Sequence, residues 1–162
     1  MNGLPLHPAI VHFPLAFAVL VPLLGVAVLF WTRERDTLTL EALRLPAGLQ
    51  LITLLAAFFA QRTGDEDHHQ VEDVVERALI HAHEEAGELF FIATGVTMLL
   101  WFAAAVSAKA DVARKAAMLA VVAGLVAAGL GLRAGEKGGE LVYHHGAADA
   151  WPAPVDAPAG AP

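Results

Sequence analysis

The chain has 162 residues, enough for one ordinary domain; 57% of them are hydrophobic, only 17% are charged, and the formal net charge is −7. So few charged side chains cannot cover an apolar soluble domain, and no basic patch points to nucleic acid. There is no cysteine, which excludes disulfides, covalent c-type haem attachment, iron–sulfur ligation and thiol catalysis.

The apolar residues fall in four blocks. The first runs from about Ala9 to Trp31 and opens with LHPAIVHFPL, two histidines and two prolines ahead of a long hydrophobic run. It lacks a basic leader and is too long for a signal peptide, so it is expected to be retained. Pro22 falls mid-span and predicts a kink, because proline removes a backbone donor. The second block runs from about Leu43 to Ala60 and carries one ionisable residue, Arg44, at its start.

Residues 65–80, DEDHHQVEDVVERALI, place Val71, Val74, Val75, Ala78 and Leu79 at helical spacing. That pattern predicts an amphipathic helix at the membrane interface, capped by Asp65 or Asp67, before the third span. The third block runs from about Leu89 to Ser107, within a span of about 80–107. The fourth, at about 116–132, carries Ala120, Gly124 and Ala128, a row of small residues that lets helices approach closely. Beyond it Gly138 and Gly139 are expected to break the helix, letting LVY at 141–143 re-enter the outer leaflet with Tyr143 in the interfacial belt.

A stretch of about 20 apolar residues crosses a bilayer core about 30 Å thick. The expected fold is therefore all-α: an integral membrane four-helix up-down bundle over residues 1–148, embedded in the lipid bilayer. Residues 149–162, rich in Pro and Ala, read as a disordered tail. No internal repeat is evident from the residues.

Four spans put both termini on one side. The loops between spans one and two and between spans three and four carry Arg33, Arg35, Arg44, Lys109, Arg114 and Lys115. The other side carries Arg62, Arg77, Arg133 and Lys137 among most of the acids. The excess of Lys and Arg in the shorter loops places those loops in the cytoplasm and both termini outside it.

All eight histidines then fall on the outer side. His7 and His12 begin span one, His68 and His69 follow span two, His81 and His83 begin span three, and His144 and His145 follow span four. Residues five apart on a helix point about 140° apart, so His7 and His12 cannot share one ion on a regular helix. His12, deeper in the apolar run, is the expected inward residue. His83 lies on a stripe with Gly87, Phe90, Thr94 and Trp101, whereas His81 lies with Glu85 and Glu88.

HPAIVHFPLA, then TG at 63 and 64, HEEAG at 83–87 and GGELVYHHG at 138–146 resemble the DUF2231 family of bacterial four-span membrane proteins of undefined function. The resemblance extends to about residue 148. It places motif residues at His7, Pro8, His12, Pro14, Gly64, His83, Gly139, Tyr143 and His145. It implies a fold, a topology and a bacterial inner-membrane location, but no activity; His68, His69, His81 and His144 match none of its motifs.

Imidazole is a common ligand for zinc, copper and iron. A b-type haem needs two imidazoles across an apolar slot, and His12 with His83 could supply them, with room at Gly87. A copper or zinc site would add His145, with Glu84 as a fourth ligand; His7 is a further candidate ligand, and Tyr143 a supporting residue. In a purely structural role the histidines would bond helix ends and loops. A redox or membrane-complex partner stays open. Transport fits less well, since the spans lack ionisable groups at mid-depth.

Overall fold

The structure, a computed structural model, describes residues 5–33 and 40–151. Its helices are α1 (His7–Ile10), α2 (His12–Trp31), α3 (Leu40–Val71), α4 (Arg77–Val106) and α5 (Ala110–Tyr143), followed by a 3₁₀ turn at Ala147–Ala150. The chain is an all-α membrane bundle. Its four spans are α1 with α2, then α3, α4 and α5, each long and apolar enough to cross a bilayer. Large side chains such as Leu99, Leu119, Leu132 and Phe102 face outward, as they must where the surroundings are acyl chains rather than water.

The first span is broken at its start. Pro8 occupies the first turn of α1, where its missing N–H goes unneeded. Pro14 then leaves the Ile10 carbonyl without its usual donor four residues on. The helix lapses into a turn at Val11 and resumes at His12. Pro22 lies inside α2, buried, and Gly124 of α5 packs against its ring: a Cβ there would lie 3.3 Å from the Pro22 Cβ.

Without a hydrophobic force between helices in lipid, close packing has to hold the bundle together. On α5 the buried residues include Ala113, Ala117, Ala120, Gly124, Ala127, Gly131 and Ala134. Their spacing alternates four and three, a period of about 3.5 that keeps one seam on the neighbouring helices. The bulk that fills this narrow seam comes from α4, chiefly Phe90 and the fully buried Trp101. Trp101 in turn needs Gly25 of α2, where a Cβ would lie 2.9 Å from its ring and 2.6 Å from Val121.

The interior also holds a polar layer. Gln50, Thr53, Thr94 and Thr97 are buried. Gln50 Nε2 donates to the Thr94 carbonyl across α3 and α4 at 3.0 Å, while Thr53 and Thr97 donate to carbonyls four residues back. Among the described residues, the Trp101 Nε1 is a buried donor with no partner.

Two expectations are corrected. The amphipathic segment 65–80 is not one helix. Residues up to Val71 extend α3, residues 72–76 turn, and α4 starts at Arg77. The apolar pattern is real but serves that corner: Val75 and Ile80 are buried with Leu141 and Ala147, and Val71 and Leu79 pack against them. Nor do Gly138 and Gly139 stop α5, which continues to Tyr143. Each glycine costs a helix about 1 kcal/mol relative to alanine, and tertiary packing outweighs that cost. Buried positions on α2 fall at Pro14, Ala18, Val21 and Gly25, and on α4 at Phe90, Thr94, Thr97 and Trp101, each 76 residues later. The expected disordered tail lies, from residue 152 onward, outside the described residues.

Candidate functional site

The rim where the first span begins also collects the end of α3, the start of α4 and the end of α5. Two imidazoles meet there. His7 of α1 and His83 of α4 have ring centroids 5.8 Å apart and planes at 84°.

Each ring is fixed from behind by backbone. His7 Nδ1 lies 2.8 Å from the Ala60 carbonyl, and His83 Nδ1 lies 3.1 Å from the Ala134 carbonyl. A carbonyl only accepts, so each Nδ1 carries the proton and donates. In the neutral ring the lone pair then sits on Nε2. The rings also rest against glycine. A Cβ on Gly64 would lie 3.2 Å from His7 Cε1 and Nδ1, and one on Gly138 would lie 3.0 Å from His83 Cε1. Thr63 adds a hydroxyl 3.0 Å from the same Ala60 carbonyl.

His12, expected to point inward, is exposed instead, and His7 takes that place. The break at Val11 explains the exchange. It lets α1 lie against α3 ahead of the regular span, so the residue nearer the terminus reaches the bundle. His145, His144 and Tyr143 are exposed, Tyr143 at 84%. A Cβ on Gly87 would meet nothing within 4 Å.

Glu84 turns to a different pair. Its Oε1 accepts from His68 Nδ1 at 2.6 Å, and its Oε2 from His81 Nδ1 at 3.0 Å. This clasp joins α3 to α4 across the turn at 72–76. The i, i+3 spacing of His81 and Glu84 is its only sequence signal; the part played by His68 carries none. Glu72 lies in that turn, 3.3 Å from Arg77 and 3.4 Å from His69. The His69 hydrogen bond is the largest influence on its carboxyl; burial opposes it, and the charges of Arg77 and the histidines add to it, so that the group is held below the usual glutamate value. Among the described residues, no group of three or more His, Asp or Glu side chains is arranged to hold a metal ion.

The family model for DUF2231, described as a predicted membrane protein, matches residues 3–150. The chain belongs to the DUF2231 family. No curated protein and no solved structure matches it. Within this DUF2231 chain the motif positions separate by location. His7, Gly64 and His83 converge on the paired rings, whereas His12, Tyr143 and His145 face outward. Pro14 is buried at the break it helps create. Ala60, Ala134 and Gly138 complete the paired site, and sequence reasoning missed them. A carbonyl acceptor leaves no mark in side-chain chemistry, and Gly138 reads as a helix breaker.

Proposed function

We propose that this protein binds a metal centre through His7 and His83, and that the centre is haem b. The observation that carries the reading is the pair of rings 5.8 Å apart, each with Nδ1 committed to a backbone carbonyl. Metal-binding histidines are held in that way, their second nitrogen donating to a carbonyl or carboxylate so that the first is oriented and more basic. Haem iron already has four equatorial ligands and asks the protein only for axial ones. A structural zinc needs four protein donors. The lack of a third His, Asp or Glu donor among the described residues therefore favours haem over zinc or copper. His12 and His145, exposed as they are, are assigned no ligand role in this reading.

A structural reading has its own support, since the same two hydrogen bonds tie α1 to α3 and α4 to α5. Absorption spectroscopy and metal analysis of protein purified after haem supplementation separate the two. Bis-histidine haem gives a sharp Soret band and reducible visible bands, lost in His83→Ala. A colourless, metal-free, monodisperse preparation leaves only the structural role.

The proposed location is the bacterial inner membrane with the paired histidines on its extracytoplasmic side, supported by the excess of Lys and Arg at the opposite end of the chain's spans. Reporter fusions at residues 40 and 155 test it. A cytoplasmic signal at 40 and an extracytoplasmic one at 155 are expected, and the converse overturns the orientation.

A further inference from the structure

The two halves of the chain share a register that covers more than one pair of helices. The buried positions of α4 follow those of α2 by 76 residues. On the returning helices, Leu43, Gln50, Thr53, Ala57 and Ala60 of α3 are buried, and so are Ala117, Gly124, Ala127, Gly131 and Ala134 of α5, each 74 residues later. The hydrogen bonds follow the same offsets: His7 to Ala60 becomes His83 to Ala134. Four residues past each acceptor stands a glycine, Gly64 or Gly138, and the ring lies on it.

Counterparts also touch. His7 meets His83, and Gly25 meets Trp101. In a two-fold arrangement only residues near the axis meet their own equivalents. These two pairs lie 18 residues apart along α1 and α2, about 27 Å at 1.5 Å per residue. An axis through both runs along the bundle, the relation found in membrane proteins built from parallel repeats.

We propose that the chain is a tandem pair of one helical hairpin, and that Gly64 and Gly138 are equivalent positioning residues that seat the two imidazoles as a symmetric pair of nitrogen ligands. Two such imidazoles, each with Nδ1 on a carbonyl, would leave Nε2 as the nitrogen available to a metal centre. The identity of the ligand rests on the haem-binding reading above; the seating of the rings does not. A methyl group on either glycine would press on the imidazole and pull its Nδ1 off the carbonyl four residues earlier. Glycine is needed here for close approach, which also explains why α5 carries Gly138 in mid-helix.

The experiment uses full-length protein in lipid nanodiscs with ¹⁵N-labelled histidine. Without haem, two rings are expected in the Nδ1–H tautomer, assigned by their loss in His7→Ala and His83→Ala. Gly64→Ala should disturb the His7 tautomer and Gly138→Ala that of His83. Gly95→Ala and Gly129→Ala, at positions with nothing within 4 Å, should disturb neither. In haem titrations the two cradle variants should each lose about 10–100-fold in affinity, the usual effect of removing a ligand's supporting partner, and by similar factors. If an alanine variant does not fold, matched losses in His7→Ala and His83→Ala still test the symmetry. A wild type that binds no haem but shows both tautomers defeats the haem reading and leaves the cradles standing. Haem binding and tautomers indifferent to Gly64→Ala or Gly138→Ala, or sensitive to only one, overturn the cradles.

Discussion

The first hairpin, α1 to α3, and the second, α4 and α5, bury the same register with different residues. Where α2 has Gly25, α4 has Trp101; where α3 has Leu43 and Gln50, α5 has Ala117 and Gly124. Bulk is exchanged in opposite directions in the two helix pairs, so that α2 and α5 are lean where α4 and α3 are large. Only at the rim do the named counterparts agree in identity: His7 with His83, Ala60 with Ala134, Gly64 with Gly138. The contrast separates two kinds of constraint. Packing asks only that facing volumes sum to a filled layer, so it permits exchange between partners. Orienting an imidazole on a carbonyl needs particular atoms at particular places, and permits none.

The packing half of that contrast is the most breakable. Trp101→Ala removes the largest fully buried side chain and should cost about 3–5 kcal/mol, read by reversible unfolding in mixed micelles. Gly25→Ala drives a Cβ to within 2.6 Å of Val121 and 2.9 Å of Trp101, and should cost about 1–3 kcal/mol. Exchange of volume between counterparts predicts that the two are coupled. In the Trp101→Ala background the extra methyl at residue 25 has space beside it, and its cost should fall or change sign. Strict additivity of the two changes would show that Gly25 and Trp101 do not share a layer.

Gln50 sharpens the comparison, because its counterpart is Gly124 and the second hairpin has no such donor there. Its bond to the Thr94 carbonyl joins the halves inside the membrane. Hydrogen bonds in such places are worth about 0.6 kcal/mol on average and at most about 1.7. Gln50→Leu should therefore destabilise by less than either change above. A loss as large as that of Trp101→Ala would mean that the polar layer, not the packing, holds the hairpins together.

Much of this was legible in the sequence. Four apolar blocks give four spans because a helix of about 20 apolar residues satisfies its own backbone groups in hydrocarbon. The stripe through His83, Gly87, Phe90, Thr94 and Trp101 gives the inward face of α4 by periodicity alone. What stayed hidden shares one physical cause. His7 displaces His12 because of a break at Val11, and periodicity assumes an unbroken helix. The repeat proposed above would leave little trace in the sequence, because counterparts such as Gly25 and Trp101 differ as much as residues can; its support is the shared register of buried positions. The corner at 72–76 escaped because Val71 and Val75 have helical spacing whether or not the helix continues between them.

The smallest expected effect lies at that corner, where the first hairpin hands over to the second. Glu72 accepts from His69 and lies near Arg77 and His68, and these neighbours hold its folded-state pKa below the ordinary glutamate value of 4.5. A depressed carboxyl pKa adds stability that is present above the unfolded value and is lost as pH falls through the folded one. Glu72→Gln should lower stability slightly at pH values above the ordinary 4.5 and converge with wild type as pH falls through the lower folded-state value and Glu72 itself is protonated. The side chains of His69 and Arg77 are 86% and 75% exposed, so salt should erase most of the difference. A Glu72→Gln protein more stable than wild type at pH 5 in low salt would show that the acids around this turn repel one another more than the histidines and Arg77 compensate. The link between the hairpins would then be a strained connection rather than a clasp.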